Sequence, residues 1–298
     1  MTLREFVHTT AEQLQPLYEQ EEARAIAVKV MCHFLKLPEY RYLSDPTDEI
    51  SDDELPELEE AVAQLVQGRP MQYVIGYTDF CGHKIRVKDG VLIPRPETEE
   101  LVATIVEDCS LVELEDGAEF NILDICTGSG CIAYSLAFEF PSATVFGCDI
   151  SEDALKVACK QKVRLDGARP VFLQADVLGE PPAGLPKFNL IVANPPYICE
   201  KEKVAMHRNV LDYEPALALF VPDDDPMKFY RGIRHWCDLL LEDGESCYME
   251  INELYGAQVS DIFDGAEVIK DINGKDRFVK YVKNPQVNEE TQDKNEQS

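Results

Sequence analysis

The sequence predicts an α/β protein: a mostly parallel sheet covered by helices on both faces, with an antiparallel pair at one edge, preceded by a small helical domain. Three observations carry this. From Glu97 onward, short apolar runs alternate with helical patterns, as strand–helix–strand units require. Before Gly68 only helical spacing is visible. Near the end, two β-rich runs flank Asn273-Gly274, a strong hairpin signal.

The elements follow in order. Phe6, Val7, Leu14, Leu17 and Tyr18 recur at three and four, as do Ala25, Val28, Met31, Cys32 and Leu35, so each set lies on one helical face. Pro38 ends the second pattern. Pro56 opens a third helix with Leu58, Ala61, Val62 and Leu65 on one side, closed by Gly68 and Pro70. Residues 1–70 are therefore expected to form a helical domain. Met71–Tyr77 and His83–Val87 read as extended around a turn at Cys81-Gly82, so 71–93 is expected to be a β-hairpin linker. The larger domain is expected over 94–283. Its strands are predicted at 120–125, 144–148, 171–174, 188–193 and 246–251, with helices at 97–108, 131–140, 152–165 and 229–241. The hairpin of 267–272 and 277–282 closes it. Residues 284–298 are polar and aperiodic, and a frayed tail is expected there.

Composition narrows the class. In 298 residues, 28 Lys plus Arg stand against 56 Asp plus Glu, a formal net charge of −28, while 45% of residues are apolar. That apolar share suits a globular protein. The charge disfavours long nucleic acid or an anionic membrane as main partner, because phosphates are neutralised by clustered Lys and Arg. No apolar run approaches the ~20 residues that cross a bilayer, and Met1–Gln20 lacks the apolar core of a secretory signal. The ten cysteines include no Cys-x-x-Cys pair, and the five histidines form no metal-like cluster. Reduced thiols in a cytoplasmic protein are expected, with no metal.

Asp124-Ile125-Cys126-Thr127-Gly128-Ser129-Gly130 lies where a buried strand becomes a helix. Glycines there permit a sharp bend and close approach of a ligand. Gly128 to Ala133 also fits Gly-x-Gly-x-x-Ala, so a dinucleotide must be weighed. Asp124, four residues before Gly128, should face the ligand, where a carboxylate repels pyrophosphate but attracts an ammonium or sulfonium. Asp149 ends the next strand, positioned to accept ribose hydroxyls, and Asp176 follows the third, positioned to meet an adenine amino group. These acids favour S-adenosylmethionine as cofactor, with Asp124, Thr127, Gly128, Ser129, Gly130, Asp149 and Asp176 as its candidate site. The alternatives are that Asp124 only caps the turn and that Asp176 is an N-cap or loop acid.

The apolar strand Phe188–Ala193 ends in Asn194-Pro195-Pro196-Tyr197, at the edge where ligands collect in open α/β sheets. Paired prolines fix the backbone and cannot donate hydrogen bonds, so their carbonyls stay available. A rigid cluster of acceptors suits a planar NH₂ group. The Asn194 side-chain oxygen can take one N–H and the Pro195 carbonyl the other, opposing delocalisation of the nitrogen lone pair, while Tyr197 can pack its ring on the plane. No strong base is needed, and catalysis comes from positioning and aimed dipoles. The plain alternative is a turn that stops a strand.

These residues resemble the HemK-type protein-(glutamine N5) methyltransferases that modify peptide chain release factors. The resemblance spans nearly the whole chain. Beyond the motifs above, it rests on Gly68-Arg69-Pro70, Gln72-Tyr73, Gly76, Leu92 through Glu99, Asp212-Tyr213-Glu214-Pro215, Ala218-Leu219 and Asp276-Arg277. The Pro94-Arg95-Pro96 block is the most specific, because DNA amino-methyltransferases share the tetrapeptide but not that segment. The resemblance implies a seven-stranded, Rossmann-like class I S-adenosylmethionine-dependent methyltransferase domain behind a helical bundle that docks the protein. It implies a Gly-Gly-Gln glutamine of a release factor as substrate. It also implies that Arg95, Glu97 and Thr98 lie near the cofactor and substrate mouth, with Arg95, Glu97, Asn194, Pro195, Pro196 and Tyr197 touching substrate.

Three features depart from the family pattern. Gln161 and Lys162 stand where an asparagine is usual, the acidic stretch Val221–Pro226 replaces a glycine-rich loop, and Asn252 replaces a glycine after Glu250-Ile251.

Competing readings are N6-adenine or N4-cytosine methylation of nucleic acid, a non-catalytic adaptor on the cofactor fold, and an NAD-dependent oxidoreductase. The first lacks a basic block and a target-recognition domain, the second is opposed by the intact tetrapeptide, and the third by Asp124. The acidity suits attraction of a basic release factor, and a monomer is expected.

Overall fold

The computed structural model describes residues 1–110 and 119–285, so most of the expected tail lies outside the described residues. The amino-terminal part is helical: α1 (Leu3–Leu14), α2 (Gln20–Phe34), α3 (Tyr40–Ser44), α4 (Leu55–Val66) and α5 (Met71–Ile75). Thr2 starts α1 with a reciprocal capping box to Glu5, which satisfies two otherwise orphaned backbone donors. The face α2 buries is Ala23, Ile26, Ala27, Val30, Met31 and Cys32, with Ala25 left exposed. In so apolar a helix two stripes compete, and the one carrying the bulkier Ile26 and Val30 wins the core.

The stretch expected to be extended from Met71 is instead α5, a single turn ended by Gly76 with φ of +79°. A real hairpin follows, β1 (Tyr77–Phe80) against β2 (His83–Arg86). Its short loop puts Cys81 and Gly82 at positive φ. Lys29 of α2 pairs with Asp79 at 2.8 Å, and the Tyr73 hydroxyl donates to the Val91 carbonyl at 2.6 Å, tying the helices to the hairpin and to the segment that leads into the larger region.

The larger region begins with α6 (Pro96–Ser110) and continues through β3 (Asn121–Ile125), α7 (Cys131–Glu139), β4 (Thr144–Asp149), α8 (Glu152–Ala158), β5 (Val171–Gln174) and β6 (Phe188–Ala193). A short β7 (Ile198–Cys199), α9 (Arg208–Tyr213), α10 (Ala216–Leu219) and β8 (Phe220–Val221) lead to α11 (Lys228–Leu240), β9 (Leu241–Glu250), α12 (Gly256–Ile262), β10 (Glu267–Lys270) and β11 (Asp276–Val282). The main sheet has seven strands in the order β10-β11-β9-β6-β3-β4-β5. Pairs among β9, β6, β3, β4 and β5 are parallel; β10–β11 and β11–β9 are antiparallel. This is the class I methyltransferase sheet, with its antiparallel edge.

One apolar core lies between the sheet and α6 and α7, including Leu101, Ile105, Ile132 and Tyr134. The other lies under α11 and α12, around Tyr230, Trp236, Val259 and Phe263. Burial on both faces explains why β3 and β6 read as continuous apolar runs. The helix expected to reach 165 stops at Ala158, and Gln161 turns into the interior. The strand order changes direction between β3 and β6, so their carboxyl ends form the crevice where such sheets bind ligands.

Candidate active site

The glycine turn follows β3 directly. Cys126, Gly128 and Gly130 all take positive φ, at +59°, +55° and +81°. A Cβ on Gly130 would lie 3.1 Å from the Phe172 ring and 3.2 Å from Ala158, so both backbone and space call for glycine there. Asp149, ending β4, accepts the Gly128 amide at 2.9 Å and the Ser151 amide at 2.8 Å. Its carboxyl is raised by burial, against the pull of those backbone N–H groups. Gln161 sits beneath the turn with both ends used: it donates to the Ser129 and Arg86 carbonyls at 2.9 and 3.0 Å and accepts the Arg86 amide at 2.8 Å. The residue that departs from the family pattern therefore clamps the hairpin to the glycine turn.

A cleft opens above these strand ends. Its wall includes Arg95, Thr98, Thr127, Gly128, Ser129, Asp149, Asp176, Asn194 and Pro196, with Phe229 and Leu217 on the far side. Most of the sequence-predicted site is thus brought together. Five of the expected residues do not line it. Gly130 shapes the turn from behind, Glu97 lies in the first turn of α6 beside Thr98, and Pro195 is buried behind the wall.

Asp124 corrects an expectation. Its side chain is fully buried below the turn, where one oxygen accepts the Thr127 hydroxyl and the Ala133 amide. The reason is register: Asp124 is still a paired residue of β3, opposite Gly147 and Val192, so its side chain points into a helix-covered face. The turn-capping reading therefore applies to one oxygen. The other, Oδ1, has no hydrogen-bond partner, and neither does the buried Ser129 hydroxyl above it in sequence. Burial pushes the Asp124 carboxyl up to about 7.

Tyr197 corrects another. Its ring packs against the core under α11, and its hydroxyl donates to Glu250 Oε1 at 2.7 Å, so it braces the tetrapeptide and does not offer a stacking face to the cleft. Its carbonyl accepts from Asn252 at 3.2 Å, which gives the third departure from the family pattern a local task. Arg95 keeps its place on the wall while paired with Glu214 at 2.7 Å. Glu214 also accepts the Ile93 amide at 3.1 Å, so the proline-flanked block is stapled to Asp212–Pro215.

Asn194 extends from the end of β6. Its amide nitrogen donates to Thr98 Oγ1 at 3.2 Å, and among the described residues its Oδ1 accepts no hydrogen bond. The wall therefore carries a strand-end acid, the glycine turn and a free amide oxygen in one crevice.

Comparison with known sequences agrees. A family model described as the PrmC N-terminal domain matches residues 5–76, and one described as the methyltransferase small domain matches residues 109–213. The chain is 42% identical over 273 residues to a release factor glutamine methyltransferase of Bacteroides thetaiotaomicron, covering 90% of this chain and 95% of that protein. It belongs to the release factor glutamine methyltransferase family. Relatives so named from Flavobacterium psychrophilum and Bacillus subtilis are 35% and 40% identical, over 94% and 80% of this chain and 99% and 84% of theirs. This methyltransferase uses S-adenosylmethionine, and two orphaned polar atoms at its glycine turn fit a cofactor bearing an ammonium group.

What sequence reasoning missed is the support. Glu250 and Gln161 are buried and fully used, yet neither belongs to a motif read for chemistry. A polar residue ending or following an apolar run was the only available signal.

Proposed function

We propose that this protein methylates the side-chain amide nitrogen (N5) of the glutamine in the Gly-Gly-Gln loop of a peptide chain release factor. The observation that carries the reading is the Asn194 amide, whose nitrogen is committed to Thr98 while its oxygen stays open at the cleft.

When bound, S-adenosylmethionine supplies an electrophilic methyl. Asp149 would hold the ribose hydroxyls, Asp176 the adenine amino group, and the glycine turn would admit the cofactor against its backbone. Asp124 and Ser129 balance the cofactor's ammonium from below. Asn194 Oδ1 accepts an N–H bond of the substrate carboxamide, orienting its plane and favouring a pyramidal nitrogen. The bound cofactor would supply the methyl, an N–C bond replacing its S–C bond and the sulfur keeping the electron pair. The nitrogen then gives up one proton to water, leaving N5-methylglutamine and S-adenosylhomocysteine. No side chain has to act as a strong base, because the proton becomes acidic only as the new bond forms.

The helices of residues 1–70 and the Arg95–Glu214 staple frame the approach of the release factor, and the net charge of −28 favours a basic partner. No helix of the described residues is long and apolar enough to cross a membrane.

The test is incubation with methyl-labelled cofactor and purified release factor, followed by mass mapping, with duplex DNA in parallel. Label on the Gly-Gly-Gln glutamine is the expected result; label on DNA alone, or on another side chain, overturns the reading. Association with the release factor should slow as salt rises, and a salt-independent rate removes the electrostatic part.

A further inference from the structure

Glu250 closes β9 with 1% of its surface exposed, and both of its oxygens are occupied. Oε2 accepts the Thr98 hydroxyl at 2.7 Å and Oε1 the Tyr197 hydroxyl at 2.7 Å. It reaches the tetrapeptide through strand register: β6 and β9 run parallel with Ala193 opposite Met249, so Asn194 and Glu250 are the next residues on each strand. Thr98, itself 2% exposed, comes in from the first turn of α6.

The hydrogen bonds in this chain have a direction. Thr98 donates its single hydroxyl proton to Glu250 Oε2, so that proton is committed there. The Thr98 oxygen is then left as an acceptor, and only the NH₂ end of Asn194 can answer it. An amide whose nitrogen is turned to Thr98 has its oxygen turned away from it. The alternative rotamer would set the Asn194 oxygen against the Thr98 oxygen and aim NH₂ at the substrate's own NH₂.

We infer that Thr98 and Glu250 are positioning residues that fix which end of the Asn194 amide meets the substrate, so that the cleft offers an acceptor and not a donor. The inference rests on the reading that the methyl acceptor is a carboxamide nitrogen. It assigns Glu250 and Thr98 no contact with substrate. Tyr197 completes the arrangement by holding the second carboxylate oxygen, which keeps Glu250 from turning its charge elsewhere.

The substitution Thr98→Val keeps the shape of the side chain and removes the hydroxyl; Thr98→Ser restores it. For Thr98→Val, kcat should fall at least tenfold, while cofactor Kd and the KM for release factor stay within about threefold. Thr98→Ser should return kcat to within about threefold of the unmodified enzyme. Glu250→Gln, which lets the Thr98 proton point either way, should also lower kcat with little change in KM.

A second readout needs no substrate. In protein labelled with ¹⁵N at asparagine, the Asn194 NH₂ should exchange slowly with water. Exchange should quicken in Thr98→Val and slow again in Thr98→Ser. A valine variant that keeps its kcat, a serine variant no better than valine, or an Asn194 amide whose exchange ignores both changes would overturn the inference. If the unmodified enzyme leaves release factor unlabelled while the exchange pattern appears as expected, the methylation reading fails and the positioning role stands.

Discussion

The two ends of the cleft are built on different physical plans. At the cofactor end, backbone does most of the work: the turn from Cys126 to Gly130 bends through three positive-φ residues, Asp149 is held by the Gly128 and Ser151 amides, and Gln161 clamps the turn from below. At the acceptor end, side chains do it, through Asn194, Thr98, Glu250 and Tyr197 in one hydrogen-bonded chain. Each end contains a fully buried carboxyl pushed up by desolvation. Glu250 has both oxygens satisfied by hydroxyls, whereas Asp124 has one oxygen without a partner. A buried carboxyl with all its bonds made serves as a structural post. One with a bond missing is poised for a ligand's charge, since an unmet buried acceptor costs about 1–3 kcal/mol.

The sharpest way to separate the ends is Asn194→Ala. Loss of the acceptor oxygen should cut kcat by roughly 10²–10³ while cofactor Kd moves only a few-fold, read by single-turnover methylation beside calorimetric titration. A comparable loss of cofactor binding would show that the two ends are not independent.

Asp124 should produce the next largest effect, and its sign is fixed. Its carboxyl is raised from 3.8 to about 7 on folding. The stability this contributes is therefore complete below about 3.8 and is lost as pH rises through about 7. The cofactor-free protein should melt at lower temperature at pH 8 than at pH 5, and Asp124→Asn should flatten that dependence. Because a bound ammonium favours the charged carboxylate, cofactor binding near pH 7 should also release protons, measurable by titration in buffers of different ionisation heat. No proton release would place the ammonium elsewhere.

Gln161→Ala should destabilise the fold by about 2 kcal/mol, because it strands the Ser129 and Arg86 carbonyls, and denaturant unfolding reads this directly. Its effect on kcat should be smaller than that of Thr98→Val, since it props the cofactor end only. Asp149→Asn should weaken cofactor binding by roughly tenfold, about 1.4 kcal/mol, with stability little changed. A larger change in melting than in binding would make Asp149 a brace for the Gly128 and Ser151 amides before a ligand contact.

The cofactor end was legible in the chain because its parts are neighbours in sequence: Asp124 through Gly130 is one stretch, Asp149 ends the next strand and Asp176 follows the one after. Even there, the sequence could not say that Asp124 turns inward, since one position of register decides which face a strand residue takes. The acceptor tetrapeptide was legible, but its role for Tyr197 was not, because the hydroxyl's partner lies 53 residues away. Elements between 194 and 228 were also invisible; β7, β8, α9 and α10 are each too short to show a period.

By itself the sequence determined the alternation of strands and helices, the glycine turn, the proline-stiffened acceptor motif and the acidic surface, all of which depend on local residue type and spacing. Only the tertiary structure decided that Thr98, Asn194 and Glu250, separated by 96 and 152 positions from Thr98, form one directed chain. The physical reason is that a hydrogen bond's polarity follows from what each group has left to give once its partners are in place. Those partners are chosen by the packing of β6 against β9 and α6, not by any stretch of chain read alone.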